Sequence, residues 1–178
     1  TRAKERHSAS SSTASAPPPP RTAQTPIYTG PPDIPARITL EDGERVRQLM
    51  RGFVEGDLEA FMPENMVSYA TGPRPGVDAP GTGPGMYYAL WVAEGLRSRG
   101  CRCFSGLCVG AGADWKIYLD KLCGPNARCK NLIVVQTKAF FESKACLEEI
   151  YTALQAGVRI IPVIFEAGAL DAPHWPDI

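Results

Sequence analysis

The sequence lacks any apolar run approaching the roughly 18 residues that a membrane-crossing helix needs, and its first residues lack the apolar stretch of a signal peptide. Excess charge of one sign is missing too. The 19 basic residues balance 19 acidic ones, so bulk electrostatics gives nucleic acid or a membrane surface nothing to hold. Histidine is scarce: His7 and His174 both lie far from the cysteines, and no C-x-x-C pair occurs, which argues against a zinc site. Neither a dinucleotide fingerprint nor a phosphate-loop motif is present; the spacing of Gly81, Gly83 and Gly85 is G-x-G-x-G, which is neither. Without a secretory signal, the six cysteines are expected as reduced thiols acting as small buried hydrophobes, and the chain as cytoplasmic.

What is there is clearest over residues 131–166. A short β-branched run at 132–136, a helix after Ser143 as N-cap, a stop at Gly157 and a second β-branched run at 158–165 read as strand, helix, strand. Parallel strands joined by one crossover helix form the central unit of an open sheet. Ligands of such sheets gather at the carboxyl ends of the strands, here at 137–144 and its neighbours. Leu147, Ile150, Tyr151 and Leu154 fall at i, i+3, i+4 and i+7 and predict the buried face of the helix. At about 100° per residue Glu149 then points away from that face, as a solvated glutamate would.

Upstream, residues 1–37 are rich in Pro and Ser, including the tetraproline at 17–20, and read as a disordered linker; a proline-recognition ligand is the rarer alternative. Residues 38–63 predict an amphipathic helical segment with Thr39 as N-cap, either one helix or two broken near Gly56, serving to pack on the following domain or to oligomerise. A strand at 66–70 runs into a stretch, 71–85, in which nine of fifteen residues are Gly or Pro, too many for either regular structure, so a long loop is expected, functional or floppy. A helix at 86–99, a strand at 101–104 and a helix over DWKIYLDKL, with Trp115, Leu119 and Leu122 on one side, complete the alternation. That alternation predicts an α/β, doubly wound parallel sheet over residues 64–178.

At this point the residues resemble a known family, the Toll/interleukin-1 receptor (TIR) domain. MVSY at 66–69 resembles its first-strand F-I-S-Y box, and RCFSGLCVGAGADW at 102–115 its second strand and glycine-bearing BB loop. FFESKACLEEI at 140–150 is similar to the S-x-W-C-x-x-E-L motif, and VRIIPVIFE at 158–166 to the fourth strand with its I-P-[VI]. The chain departs from the family in having Ser105 and Gly106 after the second-strand Phe104, Ala145 in place of Trp, and Ala70 and Thr71 in place of a basic pair, with Arg74 the nearest substitute. The resemblance implies a flavodoxin-like fold with four strands present and the fifth missing, a C-terminally shortened domain.

Two functions follow from the resemblance. Some TIR domains cleave NAD⁺ between nicotinamide and ribose, taking NAD⁺ as substrate with no cofactor, and act in stress or innate-immune signalling; others are adaptors that only assemble. The glutamate essential to the enzymes matches Glu149, which adaptors often carry as well. A carboxylate there suits the chemistry, because breaking the N-glycosidic bond develops an oxocarbenium-like ribose that negative charge stabilises. Tyr69, Gly112, Trp115 and Ser143 are the residues expected to shape the site. Trp115 could stack on a flat heterocycle or simply pack its helix; Gly110 and Gly112 could let the BB loop swing or form a plain turn; Ser143 could present a helix N-terminus to phosphate or only cap. Other TIR domains are the expected partners, through self-association at the BB-loop surface. A receiver or nucleotide-binding reading lacks an acidic cluster to support it.

Overall fold

The computed structural model describes residues 32–110 and 114–166. The linker expected at 1–37 lies largely outside them. Four strands, β1 (Asn65–Tyr69), β2 (Cys103–Ser105), β3 (Asn131–Gln136) and β4 (Arg159–Ile164), form one all-parallel sheet in the order β2-β1-β3-β4. Helices α1 (Leu40–Arg51), α2 (Pro84–Ser98), α3 (Lys116–Cys123), α4 (Lys138–Glu142) and α5 (Lys144–Gln155) surround it. This is the expected flavodoxin-like α/β architecture, preceded by a helix. Leaving β1, the chain first adds β2 on one side and then returns to add β3 on the other. The carboxyl ends of β1 and β3 therefore flank a topological switch point.

Alternation along β1 sends successive side chains to opposite faces. Asn65 lies in the groove beneath α2, whereas Ser68 meets α5. Met66, Phe104, Leu107, Tyr118, Leu122, Leu132 and Phe140 are fully buried between these layers. Lys121 is buried with them because its ammonium donates to the carbonyls of Glu59 (3.0 Å) and Phe61 (2.8 Å), tying α3 to the segment before β1.

Thr39 caps α1 in a capping box with Asp42, as its position predicts. The helix ends at Gly52, so the segment forms neither one helix through to β1 nor two helices broken near Gly56; turns follow, with Gly56 at φ +78°. Val46 and Met50 face the core, while Leu49, expected on the same face, is exposed.

The Gly/Pro-rich segment is pinned. Asp78, whose side chain is wholly buried, accepts from Arg74 Nε (2.8 Å) and Nη2 (2.7 Å) and from the backbone amides of Arg74 (2.8 Å) and Ile38 (3.0 Å). Those bonds, above all from the Arg74 guanidinium, hold its carboxyl well below the usual carboxylate range. Asp78→Ala is expected to lower stability at pH 7 by on the order of 1–2 kcal/mol, read by denaturant unfolding. Because the folded-state value is depressed, that contribution is full above the unfolded-state value near 4 and disappears as pH falls through the folded one. Wild type and variant should converge in acid.

Two of the three glycines in G-x-G-x-G are required by close backbone approach. A Cβ on Gly85 would sit 1.8 Å from the Ala70 carbonyl oxygen, and one on Gly83 would sit 2.3 Å from that of Thr71. The first turn of α2 thus passes against the chain leaving β1, nearer than any side chain allows.

Candidate functional site

Where β1 ends, Tyr69 and residues 70–73 turn away beside the short 3-10 turn that follows β2. Opposite them, α4 stops after five residues and Ser143 serves both as its C-cap and as the N-cap of α5, accepting from the Cys146 amide at 3.4 Å. That break brings the first two turns of α5 over the carboxyl end of β1. Tyr69, Gly72, Gly106, Glu142, Ser143 and Glu149 line the resulting cleft of about 400 Å³.

Glu149 does not point to solvent. The buried positions of α5 are Cys146, Ile150 and Ala153; at about 100° per residue, Glu149 lies on their side of the helix. Tyr151 and Leu154, expected in the core, are 56% and 45% exposed. The reason is volume: Cys and Ala let α5 lie close to the sheet, where Tyr and Leu would hold it off. Glu149 is half-buried, and its carboxylate accepts a hydrogen bond from the hydroxyl of Ser68. Burial pushes its pKa from 4.5 up to about 7, against the Ser68 hydrogen bond, which lowers it.

Cys146 is buried, with its thiol donating to the Tyr69 carbonyl at 3.3 Å, and burial pushes that thiol up to about 12. It therefore stays protonated and serves as a pin between α5 and β1, not as a nucleophile. Burial raises the Tyr69 phenol as well. Among the described residues lining the cleft, Glu142 and Glu149 are the charged ones, and both are acidic. The cleft suits a cationic or flat, polar guest better than an anionic one.

The TIR domain family model matches residues 85–177, more than half of the chain. The chain belongs to the TIR domain family. No curated protein and no solved structure gave a match. A TIR domain is a signalling domain, and homotypic association with other TIR domains is the partnership it suggests. No helix among the described residues is long and apolar enough to cross a membrane.

In this TIR domain the expected site residues part company. Glu149, Tyr69 and Ser143 meet in the cleft. Trp115 does not line it: it stands just before α3, 42% exposed, while Tyr118, Lys121 and Leu122 form the buried side of that helix. The face expected from Trp115, Leu119 and Leu122 is thus rotated, because the lysine stem and the tyrosine ring fill the core instead. Gly112 lies outside the described residues. Ser68 was not singled out from the sequence. Its strand parity carried the signal, since a serine one residue before the strand end, facing the crossover helix, needs a polar partner there.

Proposed function

We propose that this TIR domain is an NAD⁺ nucleosidase or cyclase that cleaves the nicotinamide–ribose bond and works when chains self-associate. The observation that carries the reading is Glu149, half-buried at the switch-point cleft, held by Ser68 and flanked by Tyr69 and Ser143. In the reaction, the C–N glycosidic bond breaks and its electron pair leaves with nicotinamide, neutralising the pyridinium. The leaving group needs no proton. The positive charge that remains spreads over the ribose C1′ and ring oxygen, beside the Glu149 carboxylate. Water then attacks C1′ and sheds a proton to solvent, or a lone pair on an adenine ring nitrogen of the same molecule attacks C1′ and the positive charge passes to the adenine. The acidic lining favours the cationic nicotinamide end.

The test is nicotinamide release from NAD⁺ by the full chain over a range of protein concentrations. Release per chain that rises with concentration supports an assembly-activated enzyme; no release at any concentration, with the chain assembled, contradicts it. An adaptor is the second reading. It draws on Ala145 at the cleft rim, where an aromatic would grip a ring, and on the exposed Tyr151 and Leu154, which a partner could cover. Tyr151→Glu with Leu154→Glu is expected to weaken self-association by at least about tenfold in sedimentation while leaving the monomer folded.

A further inference from the structure

The geometry points to Ser68 and Tyr118 as positioning residues for Glu149: Ser68 aims the carboxylate into the cleft, and Tyr118 donates to Ser68 behind it. This inference rests on the nucleosidase reading of the cleft.

Ser68 is 1% exposed on the α5 face of β1, and its one proton goes to Glu149. A hydroxyl that donates once still has lone pairs to accept with. Tyr118, on α3, is buried beside it, and its hydroxyl makes no hydrogen bond. Such a group costs stability, so its presence calls for an explanation. The polar neighbours of that hydroxyl are Ser68, Glu149, Cys146 and Cys129. The two thiols are engaged, Cys146 with the Tyr69 carbonyl and Cys129 with that of Asn131, both at 3.3 Å. Ser68 and Glu149 are the acceptors left, and Ser68 is the one within side-chain hydrogen-bonding reach of the Tyr118 hydroxyl. A small side-chain adjustment closes the chain Tyr118 hydroxyl to Ser68 hydroxyl to Glu149 carboxylate.

Among the described residues, the titratable groups that line the cleft or stand beside Glu149 are neutral or acidic: Tyr69 from β1, Tyr118 from α3, Cys146 on α5 itself and Glu142 from α4 across the cleft. With no cation lining the cleft among the described residues, hydrogen bonds alone favour the ionised carboxylate. Each link removed should raise its proton affinity. Phenylalanine in place of Tyr118 keeps the ring and removes only the proton donor.

The test is carbon NMR titration of the full chain with labelled glutamate carboxyls, Glu149 being assigned by its loss in Glu149→Gln, with nicotinamide release measured across the same pH range. The midpoint near 7 in wild type should rise by about one unit in Ser68→Ala and about half a unit in Tyr118→Phe, and return in Ser68→Thr. The rising limb of the rate profile should move by the same amounts. An unmoved midpoint in Ser68→Ala overturns the inference. A Tyr118→Phe protein that melts higher with its midpoint unmoved overturns the part given to Tyr118, leaving its hydroxyl a packing cost. Midpoints that shift as stated in a wild type that releases no nicotinamide uphold the positioning chain while the nucleosidase reading fails.

Discussion

Glu149→Gln is expected to reduce nicotinamide release by on the order of a thousandfold and, at the same time, to make the protein more stable above neutral pH. The first effect follows from removing the charge that faces the developing oxocarbenium. The second follows from linkage. Folding raises the Glu149 pKa from 4.5 to about 7, so between those values the folded chain holds a proton that the unfolded chain has released. Wild-type stability therefore falls as pH rises through that window and levels off above it. Glutamine has no proton to lose and keeps an oxygen for Ser68. At pH 8 the variant should be more stable by on the order of 2 kcal/mol, and at pH 4 the two should coincide, checked by urea unfolding at both pH values. Loss of activity together with a gain of stability in one variant is the combination expected of a residue kept for function at a cost to the fold.

Gly85→Val should be the most destructive substitution away from the cleft. The added Cβ would lie 1.8 Å from the Ala70 carbonyl oxygen, and that oxygen is backbone that cannot swing aside. Either α2 lifts off β1 or the chain leaving β1 is displaced. A loss of about 4 kcal/mol or more is expected, in the range of severe overpacking, with valine worse than alanine. Because Ala70 and Thr71 also line the cleft, whatever folded protein remains should cleave NAD⁺ poorly despite an intact Glu149. Thermal unfolding and nicotinamide release of Gly85→Ala, the milder change, would separate the two effects.

The order of strands and helices was legible because β-branched runs at 132–136 and 158–165 alternate with helical spacing and are punctuated by Gly and Pro. Ser143 was legible as a cap for the same local reason, and the matched glutamate came with the family's motif. The orientation of α5 was not legible. Periodicity weighs large apolar residues most, so it favoured Tyr151 and Leu154, whereas a helix lying close on a sheet buries Cys146 and Ala153. That single rotation turned Glu149 from a surface residue into a half-buried one. The Ser68 partnership spans 81 positions and the Asp78–Ile38 bond spans 40; no local pattern encodes pairings of that range. Lys121 makes the same point, since only the carbonyls of Glu59 and Phe61, brought near by the fold, make its burial tolerable. Of the two expectations for residues 38–63, one helix or two broken near Gly56, neither is met in full, because Gly52 ends the helix and the apolar spacing beyond it belongs to turns packed on the core.

The most direct test of the account is nicotinamide released from NAD⁺ by the full chain crowded on a support, wild type beside Glu149→Gln, with folding of both checked by circular dichroism. Steady release by wild type and none above background by the variant is the predicted result. Equal release by both, or silence from both while the chains are assembled and folded, would contradict it and leave the TIR domain acting by association alone.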